Sequence, residues 1–120
     1  MALLAFLSDP NGYLLLATKG EQVIGSLSGF ALRHAFRSEP AFLLYEIDVH
    51  PSARRNGIGT ALVRQFINEA EMARAYEVWV LTNQSNTPAM SMYTRCGLSR
   101  RNLDDVMLEI ALSGPGDSHT

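Results

Sequence analysis

Arg54-Arg55-Asn56-Gly57-Ile58-Gly59 stands between a run of strand-forming residues and a run with helical periodicity. Two glycines at the start of a helix let a ligand come close to the backbone. The unpaired N–H groups of the first turn, together with the helix dipole, attract phosphate oxygens. Arg54 and Arg55 add charge-assisted contacts. No Lys-Ser/Thr follows the second glycine and Leu62 occupies the third glycine position, which excludes a Walker loop and a dinucleotide fingerprint. A pyrophosphate site remains, beside the plainer reading of a tight turn with surface arginines. A second feature precedes it: Glu46 and Asp48 lie two apart in Phe42 to Val49, so both carboxylates share one face of an otherwise apolar strand. Tyr93 follows Ala89 at helical spacing. Cys96, the only cysteine, excludes an intrachain disulfide and a Cys-based zinc cluster, and reads as a small buried hydrophobe with no His base near it. His34, His50 and His119 are scattered, and no metal is expected.

The elements that must position these residues follow from periodicity and turn chemistry. An apolar opening, Met1 to Leu7, reads as one or two helical turns closed by Asp9-Pro10-Asn11-Gly12. Tyr13–Thr18 and Gln22–Leu32 read as a hairpin around Lys19-Gly20-Glu21, and Arg33 to Pro40 as an irregular loop able to line a site. In the third strand Leu43, Tyr45, Ile47 and Val49 alternate with Leu44, Glu46 and Asp48. A helix runs from the glycine loop to about Arg74, with Ile58, Leu62 and Phe66 in one apolar row, Val63, Ile67 and Ala70 in the next, and Arg64, Asn68 and Glu71 towards water. Tyr76 to Leu81 has the composition of a central strand covered on both faces, with Trp79 in the core. Pro88 opens a short helix that Gly97 ends, and Asp105 to Leu112 alternates as a last strand. The order β-β-β-α-β-α-β defines an α/β layered domain over residues 1–112, with 113–120 as a frayed tail.

Composition narrows the functional classes. The 120 residues hold one domain, and 47% hydrophobic against 18% charged residues is the balance of a globular chain. A net charge of −2 without blocks of like charge argues against nucleic acid as partner. Lys19 is the only lysine and sits in a turn, which removes lysine-based phosphate loops and Schiff-base chemistry. The apolar opening lacks a basic leader and is far short of a membrane span, so a cytoplasmic protein without a membrane partner is expected.

Three motifs in order resemble the GNAT superfamily of N-acetyltransferases. Arg54 to Thr60 resembles its R/Q-x-x-G-x-G/A acetyl-CoA loop, Tyr45 to Pro51 its L-x-V-x-P strand, and Asn86 to Leu98 its N-x-x-A-x-x-x-Y-x-x-x-G-F signature, with Leu98 in the Phe place. The resemblance covers about Tyr13 to Leu112. It implies a mixed, mostly antiparallel central sheet with helices on both faces, lacking the usual first strand and helix. It makes Arg54, Arg55, Asn56, Gly57, Ile58, Gly59 and Thr60 the pyrophosphate loop, gives Ile47 and Val49 strand amides towards the pantetheine arm and thioester, and makes Asn86, Ala89 and Tyr93 contacts of that arm. Within the superfamily, Leu7-Ser8-Asp9, Leu44 to Val49, and Asn68 to Ala70 ahead of Ala75-Tyr76 are similar to the type I aminoglycoside 3-N-acetyltransferases.

The implied reaction is direct acyl transfer from acetyl-CoA, as cosubstrate, to a neutral amine. Glu46 is the first choice for removing the ammonium proton, directly or through a water, with Asp48 as alternative base or substrate anchor; surface carboxylates on an edge strand are the plain alternative. Tyr93 is the candidate acid for the leaving thiolate, or a core aromatic. The expected acceptor is a small polycationic amine, possible classes being led by aminoglycosides. The alternatives are a protein or metabolite amine, or a non-catalytic acyl-CoA-binding module. Such proteins begin with a further strand and helix, so apolar surface left uncovered here argues for a homodimer.

Overall fold

The computed structural model describes residues 2–113. The elements run α1 (Ala2–Ser8), β1 (Gly12–Lys19), β2 (Gln22–His34), β3 (Arg37–Val49), a 3-10 turn at Pro51–Ala53, α2 (Ile58–Met72), β4 (Glu77–Val80) and α3 (Thr87–Arg95). Four strands form one sheet in the order β1-β2-β3-β4, antiparallel between β1, β2 and β3 and parallel between β3 and β4. The mixed, mostly antiparallel architecture expected from the sequence is therefore present. Parallel pairing of β3 with β4 needs a crossover, and α2 supplies it.

The side chains of α2 explain its seat. Leu62, Val63, Phe66 and Ala70 are buried, and they meet Leu27, Phe42 and Leu44 of the sheet and Tyr93 of α3 in a single core. Arg64, Asn68 and Glu71 face water, as their spacing requires. α1 lies on the opposite sheet face, where the Phe6 ring packs edge-on to Phe30 at 5.3 Å. Helices thus occupy both faces. α2 packs tightly on the sheet at Gly29: a Cβ there would stand 2.5 Å from Cζ of Phe66 and 2.6 Å from the carbonyl oxygen of Leu43.

Four expectations change. Arg33 to Pro40 is not a loop: β2 runs on to His34, turns through Ala35-Phe36 and returns from Arg37, so the first three strands form a continuous meander. Polar composition hid a hairpin whose rungs lie outside the core, with Arg37 stacked 4.0 Å from the Tyr76 ring centroid. The alternation in β3 is broken by a bulge. Gly29 pairs with Leu44 and Ser28 with Glu46, leaving Tyr45 extra, so that Leu44, Ile47 and Val49 end on one face and Leu43, Glu46 and Asp48 on the other. β4 is an edge strand among the described residues, and Trp79 is 38% exposed on it rather than in the core. Its apolar run is used on one face only, by Val78 and Val80. Finally, Asp105 to Leu112 forms no ladder among the described residues, and its large apolar side chains are exposed. The tail expected at 113–120 lies beyond Ser113 outside the described residues.

Candidate active site

A one-residue bulge at Tyr45 lies where β3 parts from β4. β3 pairs with β4 only from Ala41 to Leu44, opposite Glu77 to Val80. Beyond that point β3 stays bound to β2 as far as Val49, opposite Gly25, but has no partner towards β4 among the described residues. One backbone edge around Ile47 and Val49 is thereby without a strand partner among the described residues. Extra residues in a strand increase its local twist and turn it away from its neighbour, which is how a one-residue slip separates two strands.

Glu46 and Asp48 flank this edge. Register sets Glu46 directly opposite Ser28 and Asp48 directly opposite Ser26, on the sheet face away from α2. Both carboxylates are exposed and neither forms an ion pair among the described residues. The result is a polar strip of two carboxylates and two hydroxyls, with cross-strand Cβ atoms about 5 Å apart. The same-face expectation holds, although through the bulge rather than simple alternation. Ser26 and Ser28 were not singled out in the sequence; the alternating small residues Gly25-Ser26-Leu27-Ser28-Gly29 are the signal that marks them.

The glycine loop lies at the end of β3. Nε of Arg54 donates to the Val49 carbonyl at 3.0 Å, folding Arg54 back across the strand end, and Nδ2 of Asn56 donates to Ala53 at 3.3 Å. Arg55 and Gly57 both take left-handed backbone, with φ of 69° and 77°. Gly57 is the N-cap of α2, no side chain caps that helix, and a Cβ at Gly57 would meet nothing within 4 Å. The amides of Ile58, Gly59 and Thr60 head a helix of 15 residues, so an open, positively polarised helix end faces free space. This donor set suits the pyrophosphate of a coenzyme. Gly59 is bare for another reason. A Cβ there would lie 2.8 Å from Sδ of Met92 and 3.8 Å from Cγ2 of Val49, so the missing side chain lets α3 and the end of β3 close on α2. The Cys96 thiol, partly buried, donates to the Thr60 carbonyl at 3.9 Å across the same joint.

Asn86 caps α3, its Oδ1 accepting from the Ala89 amide at 3.2 Å, which leaves its NH₂ as the free function. Ala89 is half-buried, and Tyr93 is buried among the core residues. Burial raises the Tyr93 phenol above its ordinary 10.0, because the charged phenolate loses solvation there. The phenol is therefore a neutral donor at physiological pH. Tyr93 packs on the helix side of the sheet while Glu46 and Asp48 stand on the other. A groove of about 950 Å³ lies elsewhere, along β4; it includes Tyr93 but none of the other candidate residues. Among the described residues no group of three or more metal-ligating side chains is found, and no helix is long and apolar enough to cross a membrane.

Residues 2–98 match the model of the acetyltransferase (GNAT) family, and the chain belongs to that family. It is 35% identical over 98 residues to a mycothiol acetyltransferase of Pseudarthrobacter chlorophenolicus, an alignment covering 80% of this chain and 30% of that protein. It is 29% identical over 75 residues to the ribosomal protein bS18-alanine N-acetyltransferase of Escherichia coli K12, covering 62% of this chain and 49% of the relative. The chain thus spans about a third to a half of these curated relatives. In fold it is similar to an aminoglycoside acetyltransferase from an uncultured soil metagenomic sample, crystallised with trehalose, at a TM-score of 0.84 and 20% identity, covering 93% of this chain and 73% of that one. It is similar also to an aminoglycoside N-acetyltransferase in complex with CoA, at a TM-score of 0.77 and 18% identity, covering 92% and 83%.

Proposed function

We propose that this protein is an acetyl-CoA-dependent N-acetyltransferase of the cytoplasm that acts as a homodimer on an amine of a small polycationic acceptor, an aminoglycoside acetylated at N-3 being the leading class. The observation that carries this reading is the pair Glu46 and Asp48, exposed and without ion-pair partners among the described residues, beside the unpaired edge of β3 and ahead of the open end of α2.

In this reading Arg54, Arg55, Asn56, Gly57, Ile58, Gly59 and Thr60 hold the pyrophosphate, Ile47 and Val49 offer backbone groups to the pantetheine arm, and Asn86 and Ala89 line its far end. Acetyl-CoA supplies a thioester-activated acetyl group. Asp48 attracts and orients a cationic acceptor, and Glu46 takes the proton that must leave an ammonium before its lone pair can attack. Tyr93 holds a phenolic proton ready for the departing sulfur, and its raised pKa keeps that proton in place. Positioning and charge do most of the work in such a transfer.

The identities to a mycothiol acetyltransferase and to a ribosomal-protein alanine N-acetyltransferase favour a second reading, in which the acceptor is a metabolite or protein amine. An acceptor panel decides between them, with CoA-thiol release followed for aminoglycosides, linear polyamines, small metabolite amines and N-terminal peptides. Turnover confined to polycationic amines is expected; turnover confined to the last two groups establishes the second reading. An absence of CoA-thiol release with every acceptor leaves the non-catalytic CoA-binding module.

A further inference from the structure

We propose that Tyr45 is a specificity-determining residue of the acceptor site, its ring holding a second ammonium group of the acceptor while Glu46 receives the proton of the amine that reacts. This role for Tyr45 rests on the acetyltransferase reading above.

A regular strand sends consecutive side chains to opposite faces, which would put the sheet between Tyr45 and Glu46. The bulge suspends that rule. Gly29 pairs with Leu44 and Ser28 with Glu46, so Tyr45 has no rung of its own. Its contacts show where its side chain goes. The Tyr45 ring meets Phe30 near-perpendicular at 5.9 Å, and Phe30 stands on the face away from α2, edge-on to Phe6 of α1 at 5.3 Å. Glu46, opposite Ser28, is on that same face. Two consecutive residues therefore present an aromatic ring and a carboxylate side by side, their Cα atoms about 3.8 Å apart.

The ring is both open and held. Tyr45 is 62% exposed, yet Phe30 supports it and Phe6 supports Phe30, so a row of three aromatics ties its position to α1 across β2. Its π face attracts a cation, and the neighbouring carboxylate adds charge. The protein cation found over an aromatic ring among the described residues is Arg37 on Tyr76, which leaves the Tyr45 ring to a ligand. Along β3 the ring of Tyr45 and the carboxylates of Glu46 and Asp48 follow one another on one face. An amine delivered to Glu46 thus has a cation-holding group on either side, Tyr45 on one and Asp48 on the other. That succession favours a diamine or polyamine over a monoamine of the same length.

Steady-state kinetics with putrescine and with pentylamine, in which a methyl group replaces the second amine, separates a cation contact from an apolar one. Wild type is expected to prefer putrescine, the preference being the KM of pentylamine divided by that of putrescine. Tyr45→Leu should shrink this preference by about 3- to 30-fold while kcat on putrescine changes by less than about twofold. Tyr45→Met, ring-free but longer against Phe30, should behave as Tyr45→Leu. Tyr45→Phe keeps the π face without the hydroxyl and should keep the wild-type preference. Circular dichroism is expected to show all three folded, since the side chain is exposed. A wild type that turns over amines without preferring putrescine, or ring-free variants that retain the preference, overturns the role of Tyr45 and leaves the acetyltransferase reading standing. A fall in kcat on both amines, or an equal loss of preference in Tyr45→Phe, also overturns it, by assigning the side chain to the setting of Glu46 or to a hydroxyl contact. A wild type that releases no CoA thiol with any acceptor overturns the acetyltransferase reading and this role together.

Discussion

Gly29→Ala tests the packing that fixes the site. The added methyl carbon would stand 2.5 and 2.6 Å from two ring atoms of Phe66 and 2.6 Å from the Leu43 carbonyl oxygen. Ordinary carbon contacts begin near ~3.5 Å, so the ring or the strand must move by about 1 Å. Phe66 is fully buried in the middle of α2, and Leu43 is backbone inside the β3 ladder, so neither can yield as a flexible side chain would. Overpacking of this kind costs about 1–3 kcal/mol, and two rigid neighbours place the expectation at the upper end, a fall in Tm of roughly 10 °C. Urea unfolding of four proteins measures it: wild type, Gly29→Ala, Phe66→Leu and the double variant. Shortening Phe66 removes the ring atoms but not the carbonyl, so the alanine should cost at least about 1 kcal/mol less in the Phe66→Leu background. A single-variant cost below about 0.5 kcal/mol, or the same cost in both backgrounds, refutes the close approach of Phe66 to the sheet at Gly29.

The remaining predictions concern the site. Glu46→Gln should lower kcat/KM by about 10²-fold or more at neutral pH and regain part of it at higher pH, where free amine is already deprotonated; a pH-independent loss removes Glu46 as the base. Asp48→Asn should mainly raise KM, more for polyamines than for a monoamine. Gly57→Ala should weaken acetyl-CoA binding in calorimetry, through its left-handed φ of 77° and a methyl in the open loop, while Gly59→Ala should lower stability through Met92 with a smaller effect on affinity. Equal affinities for wild type and Gly57→Ala would remove the pyrophosphate role. Tyr93→Phe should cut turnover by about 10²-fold or more with acetyl-CoA affinity nearly intact. The raised pKa of Tyr93 also sets a sign: below pH 10.0 both folded and unfolded states keep the proton and stability is unaffected, whereas above it the unfolded chain releases the proton first and stability falls. Urea titrations between about pH 9 and 11 should show less of that fall in Tyr93→Phe.

Local chemistry made much of this protein legible in the sequence. The glycine loop after a strand, the two apolar rows of α2, the hairpin at Gly20 and the Pro88 to Gly97 helix depend on near neighbours, and near neighbours are what a sequence displays. The three ordered motifs also carried the family. What the sequence could not decide depended on partners distant in the chain. The bulge at Tyr45 shows only in the pairing of β3 with Ser28 and Gly29, far back in the chain, and no alternation within β3 announces it. Gly59 resembled its neighbour Gly57, yet one is bare for Met92 and the other for open space. Trp79 and residues 105–112 have the composition of buried strand, but burial depends on whether a neighbouring strand arrives. Only the tertiary structure shows that, within the described residues, none does.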